Sequence, residues 1–259
     1  MTVTTLPSSS LEDRGRILRE MGFGTQRVGD ELHGFAEITP EMHVPGAASL
    51  RTSVLATWAD TVSGLLASLV MGPRVPVTLE LDVHLYRPAP ATGEVRAVGR
   101  TVKVGRSVFV AECEFSVDDE PIACSGASFM VAPDPDVQLP SWLSVDLPRS
   151  SERLPVPLAE RARCERVGPG TVLLPRTQEG LNASGTVNGG LLALAAEEAV
   201  LTLAPGAGLS FLGLRYLLGA RVGPVLAKAR LHRGLARVEV RDSGNEHRLT
   251  TLATARVFA

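Results

Sequence analysis

At 259 residues, with 44% hydrophobic and 21% charged side chains, the chain has the length of two ordinary domains and the composition of a globular protein rather than a disordered one. A net charge of −2 and only 4% aromatic residues supply neither the basic field nor the stacking surface that nucleic acid binding draws on. The three cysteines, Cys113, Cys124 and Cys164, form no CxxC pair, so neither a disulfide framework nor a zinc site is expected.

The first residues contain no basic stretch followed by an apolar block, so no secretory signal is expected and the cytoplasm is the default compartment. Leu11 to Met21 carries apolar Leu11, Ile17, Leu18 and Met21 among charges, the pattern of a short amphipathic helix ending at Gly22. Strands are expected over 24–28 and 32–38, turning at Gly29-Asp30. From Thr52 to Val70, the residues Val54, Leu55, Trp58, Val62, Leu65, Leu66 and Leu69 form an apolar stripe interrupted by Asp60, which reads as a core helix rather than a membrane span. Four strand-like runs follow, over 76–86, 93–104, 107–117 and 122–131, with Gly105-Arg106 and Asp118-Asp119 as tight connections. In the first of them Val77, Leu79, Leu81, Val83 and Leu85 alternate onto one face.

The stretch from Ala132 to Pro157 holds six of the chain's prolines and reads as a linker. Beyond it the same order returns: strands over 161–167 and 171–175, a helix over 189–203, then strands over 208–218, 224–232, 235–242 and 247–257. Arg51 and Asn188 are 137 residues apart, as are Asp60 and Glu197. The chain therefore reads as one α+β unit written twice: 1–132, a linker over 133–157, and 158–259. Each unit is expected to pack a long helix on an antiparallel sheet.

The repeated segment also carries the chemistry. Gly189-Gly190 opens a helix whose first N–H groups have no partner within the helix and face outward with the positive end of its dipole, a place for an oxyanion or a polarised carbonyl. Glu197 lies two turns on, over the same face as Gly190 and Ala193, while Asp60 shares its face with Ser53, Ala56, Ser63, Gly64 and Ala67. For either acid alone, the plainer alternative is a carboxylate that bonds locally at the edge of a packed helix. Two at equal spacing favour a function. No strand-GxGxxG-helix unit or GK[ST] loop is present, and Ser53 and Ser184 lack a nucleophile-elbow context. His43-Val44-Pro45-Gly46 is faintly similar to the loop of hotdog dehydratases, but the position where that family has its glutamate is Thr57.

The run Asn182-x5-Asn188-Gly189-Gly190-x6-Glu197 resembles the N-x5-H-G-G-x6-[DE] signature of hotdog-fold acyl-CoA thioesterases of the PaaI-like type, and Tyr86-Arg87-Pro88-Ala89 resembles that family's LRPA strand end. The likeness covers nearly the whole chain as two tandem copies. It implies two hotdog units side by side in one continuous sheet, an acyl-CoA or other acyl-thioester substrate, and no metal or organic cofactor. It also implies composite sites, each joining the helix start of one unit to the carboxylate of the other. One would combine Asn182, Asn188 and Gly189 with Asp60. The other would combine Arg51 and Thr52 with Glu197, and is expected to be degenerate. There the family's asparagine, histidine and glycines are replaced by Pro45, Arg51, Thr52 and Ser53, and Arg51 stands ready to neutralise Glu197. The family's histidine is Asn188 in the second unit, which donates a hydrogen bond but carries no proton. Arg87, Arg106 and Arg233 are candidate partners for coenzyme A phosphates, with solvated strand ends as the equal alternative. Two classes stay open: a thioesterase, and a non-catalytic acyl-thioester-binding or scaffold protein. No nucleic acid or membrane partner is expected, and a homodimer of double hotdogs is compatible with the likeness.

Overall fold

A computed structural model describes residues 13–141 and 143–258. The first half runs α1 (Arg16–Arg19), β1 (Gly24–Val28), β2 (Glu31–Glu37), α2 (Thr52–Met71), β3 (Pro76–Leu85), β4 (Glu94–Val104), β5 (Phe109–Val117) and β6 (Glu120–Val131). The second runs α3 (Leu158–Arg161), β7 (Glu165–Gly168), β8 (Thr171–Leu174), α4 (Gly189–Leu201), β9 (Leu209–Tyr216), β10 (Val225–His232), β11 (Leu235–Asp242) and β12 (Arg248–Val257).

The strands form one antiparallel sheet of 12, in the order β1-β2-β4-β5-β6-β3-β9-β12-β11-β10-β8-β7. The second six mirror the first, and the halves meet where β3 pairs with β9, Glu80 opposite Arg215 and Leu81 opposite Leu214. Backbone hydrogen bonding therefore runs unbroken across the join, and α2 packs against α4 on the same face. This is the α+β double-hotdog architecture that the resemblance implies.

The two long helices differ in what surrounds them. Helix α2 is continuous because Thr52 to Met71 holds no proline, and it stops where Gly72-Pro73 removes the next helical donor. It is long and apolar enough to cross a membrane by length and composition. Here Val54, Leu55, Trp58, Val62 and Leu66 are buried in the core, and Trp58 stacks on Phe23 at 5.2 Å between ring centroids. Helix α4 is buried along its whole length from Gly190 to Leu201. An apolar helix with no solvent face belongs in the middle of a protein, and each of its leucines contributes about 1.5–3 kcal/mol by leaving water. That position also drags Glu197 and Glu198 into the core, so both carboxylates must find partners there.

Three expectations need correcting. The segment 161–167 is not a strand throughout: Leu158–Arg161 is a helical turn and the strand is Glu165–Gly168. Arg161 is used there to bind Glu20 through Nε at 2.6 Å and Nη2 at 2.8 Å, and Glu179 through Nη1 at 2.8 Å, tying the first turns of the two halves together. The amphipathic helix placed over Leu11 to Met21 is one turn, Arg16–Arg19; Leu11 lies outside the described residues. The alternation in β3 breaks at a β-bulge between Thr78 and Glu80, which leaves Leu79 unpaired. Thr78 is consequently on the helix side with Leu81 and Val83, where simple alternation puts it on the other face.

The proline-rich stretch is extended and lies against the first half. Leu139 N–H donates to Pro73 O at 2.8 Å, Thr25 and Leu147 exchange backbone hydrogen bonds, and Arg149 pairs with Glu94 and stacks over Phe35. The connection thus covers the free edge of β1, which would otherwise offer unpaired backbone groups.

Candidate active site

At the start of α2 the structure brings Arg51, Thr52 and Glu197 together. The Glu197 carboxylate accepts from Thr52 N at 2.9 Å, Ser53 N at 3.4 Å, Ser53 Oγ at 2.6 Å and Arg51 Nη1 at 3.2 Å. Arg51 Nη1 is also 2.7 Å from Glu198 Oε1, a contact of charge rather than an aligned hydrogen bond, and Arg166 Nε meets Glu198 Oε2 at 2.8 Å. Arg51, Glu197 and Glu198 are 1%, 0% and 2% exposed, so Glu197 is sealed from water, while Arg51 and Glu198 also line a cavity of about 500 Å³ shared with Pro45, Cys164 and Arg166. Thr52 Oγ1 completes it by donating to Leu209 O at 2.9 Å. The N–H groups that the helix start leaves free are therefore already filled by an internal anion.

The start of α4 is organised differently. Asn188 caps the helix, its Oδ1 accepting from Gly190 N at 2.8 Å, while its amide nitrogen and the Gly189 N–H have no acceptor among the described residues. Gly190 is required by packing: a Cβ there would lie 2.2 Å from Thr57 Oγ1, on the turn of α2 just before Asp60. That contact holds the acid-bearing face of α2 against the α4 start. Asp60 is one methylene shorter than Glu197, and its Oδ1 accepts from Thr78 Oγ1 at 2.7 Å instead of reaching the helix N–H groups. Burial pushes the Asp60 carboxyl up to about 6, partly offset by the Thr78 hydrogen bond. Tyr216, which closes β9, donates to Gly189 O at 3.2 Å; burial and then the Asp60 charge hold its phenol well above the usual value, so it stays neutral.

Asn182 is not brought to Asp60. Its Oδ1 accepts from Thr186 N at 3.1 Å and its Nδ2 donates to Thr186 Oγ1 at 2.8 Å, so both groups close the loop before Asn188. Asn188 N–H then donates to Gly180 O at 2.9 Å, which fixes the cap residue where the loop delivers it. Arg87, Arg106 and Arg233 stand exposed at strand ends and turns. Sequence reasoning missed Thr78, Tyr216 and Glu198. Thr78 had no local signal, because a bulge turns it inward; Glu198 could have been found, since two adjacent acids in an apolar helix call for a buried cation.

Together these make an α+β double hotdog in which one helix start is filled by an internal anion and the other keeps a Gly189 N–H with no acceptor among the described residues. Structural relatives agree with that fold over nearly the full chain. A protein with a hot dog fold from Alicyclobacillus acidocaldarius is 16% identical, with a TM-score of 0.56, and the match covers 93% of this chain and 98% of that one. An acyl-ACP thioesterase from Bacteroides thetaiotaomicron is 14% identical, with a TM-score of 0.61, covering 93% and 99%. The tesB protein of Mycobacterium avium subs paratuberculosis is 14% identical, with a TM-score of 0.59, covering 95% and 99%. By sequence, residues 52–124 match the Thioesterase superfamily model, a span that includes Asp60 and Thr78 and stops before the end of β6. No curated protein matches the chain.

Proposed function

We propose that this protein hydrolyses acyl thioesters, acyl-CoA esters above all, at one composite site per chain formed by Asp60, Thr78, Asn188 and Gly189. The observation that carries the reading is the Gly189 N–H, left without an acceptor among the described residues at the positive end of a buried helix, while Asp60 bonds Thr78 instead. The family match over 52–124 supports the same chemistry.

In this reading the thioester carbonyl oxygen accepts from Gly189 N–H, with the Asn188 amide as a second donor. Thr78 occupies one oxygen of Asp60 and leaves the other to take a proton from water. The water oxygen bonds to the carbonyl carbon, and the charge that builds on the carbonyl oxygen is held at the helix start. Collapse breaks the C–S bond; the departing thiolate takes the proton back from Asp60, giving a thiol and a carboxylic acid. An acid poised near 6 is mostly ionised at neutral pH yet basic enough to accept the proton.

The sealed cluster at Arg51, Thr52 and Glu197 is read as structural, since its helix start is already occupied. Turnover of a panel of acyl-CoA and acyl-carrier-protein thioesters by the purified protein tests the proposal. Hydrolysis of at least one class is the expected result. Tight binding of a non-hydrolysable ester analogue without turnover of any ester would instead support the acyl-thioester-binding or scaffold reading.

A further inference from the structure

We infer that Tyr216 is a positioning residue for the proposed hydrolysis, holding the first peptide of α4 so that the Gly189 N–H stays aimed at the carbonyl. The inference rests on the reading above and adds a residue from the sheet to a site otherwise built from helix starts.

A glycine at the first helical position is the residue whose backbone is least restrained by its own chemistry. Here the peptide joining Gly189 to Gly190 is pinned at both ends: its carbonyl oxygen accepts from Tyr216 Oη at 3.2 Å and its N–H donates to Asn188 Oδ1 at 2.8 Å. The preceding N–H, which belongs to Gly189, has no acceptor among the described residues. The phenol also occupies the space a side chain would take, since a Cβ on Gly189 would lie 3.1 Å from the Tyr216 oxygen and 3.3 Å from its ring carbons. Tyr216 follows the buried inward positions Leu212 and Leu214 on β9, which places its ring on the helix side of the sheet.

The other helix start carries the same arrangement in a different chemistry. Thr52 Oγ1 donates to Leu209 O, at the opposite end of β9. Each helix start is thus tethered to one end of the seam strand, and at Gly189, which has no side chain of its own, the tether comes from Tyr216.

The experiment is Tyr216→Phe, which keeps the ring and removes the hydroxyl. The expected result is a kcat lower by about five- to tenfold, the range that loss of one neutral hydrogen bond gives. KM should match the wild type, the thermal midpoint should fall by no more than about 2–4 °C, and the Gly189 amide resonance should shift and exchange faster. A wild-type kcat and an unmoved Gly189 amide would overturn the inference, as would a collapse of the thermal midpoint, which would make the hydroxyl a fold-stabilising group. These outcomes are separable from failure of the functional reading. If the wild type turns over no thioester, that reading falls and takes this one with it; if wild type is active, Asp60→Asn is dead and Tyr216→Phe is unaffected, only the role of Tyr216 falls.

Discussion

The starts of α2 and α4 are equivalent places in the repeat, yet one receives a glutamate with four donors and the other an aspartate bonded to a strand threonine. Two small chemical differences account for it. Glu197 has the extra methylene needed to reach the α2 N–H groups, and Arg51 neutralises it on arrival. Asp60 is shorter and bonds Thr78 instead, while the space a side chain would take at Gly189 and Gly190 is held by Tyr216 and Thr57. A helix start inside a protein can be filled by an internal anion, as at Thr52 and Ser53, or capped by a neutral side chain that leaves one donor free, as Asn188 leaves Gly189, and side-chain reach separates the two cases here.

The largest effect is expected at Asp60. Asp60→Asn still accepts from Thr78 and should fold, while turnover of the best thioester should fall about 10²–10⁴-fold, the range for a lost general base. Steady-state kinetics with circular dichroism on the same sample checks it, and activity within a factor of two of wild type contradicts the assignment.

The sealed end should respond in stability instead. Glu197→Ala leaves Arg51 buried with one poorly aligned acid, and should cost about 3–5 kcal/mol in denaturant unfolding with kcat per folded molecule unchanged. The milder Glu197→Gln keeps acceptors for Thr52 and Ser53 and serves if the alanine variant does not fold. A loss of kcat with stability intact would show that the sealed end is the working one.

The smallest effect is carried by pH. The Asp60 carboxyl is raised from 3.8 to about 6 by burial, so the folded protein holds that proton more tightly than the unfolded chain. Between about pH 4 and 6 the folded state binds more protons, and stability contributed by the neutral acid is lost as pH rises through that window, by up to about 3 kcal/mol. Asp60→Asn should therefore be more stable than wild type at pH 8, with the gap closing below pH 4. In the same window kcat/KM of the wild type should rise with pH to a plateau above an apparent value near 6. A wild-type acid limb near 4 would mean that water reaches Asp60 more freely than its surroundings imply.

Much of the molecule was written locally. The 137-residue repeat, the apolar helices and the alternating strands specify two copies of one unit, because periodicity and turn chemistry act over a few residues. The helix cap at Asn188 and the small residues beside it are equally local. Other features depended on residues far apart in the chain. Thr78 reaches Asp60 only because a bulge at Leu79 reverses the face of β3. Asn182 fits the family motif but is consumed by Thr186, since a loop polar group takes the nearest partner. Tyr216 meets Gly189 only once β9 is in the shared sheet, and Arg51 can bury its charge only where α4 brings Glu197 and Glu198 to it. Local pattern and the resemblance together carried the fold class, the equal spacing of Asp60 and Glu197, and the expectation that Arg51 neutralises Glu197. Folding settled how each acid is held, with four donors on Glu197 and Thr78 on Asp60, because that depends on angstrom-scale reach between side chains separated by 18 to 146 residues.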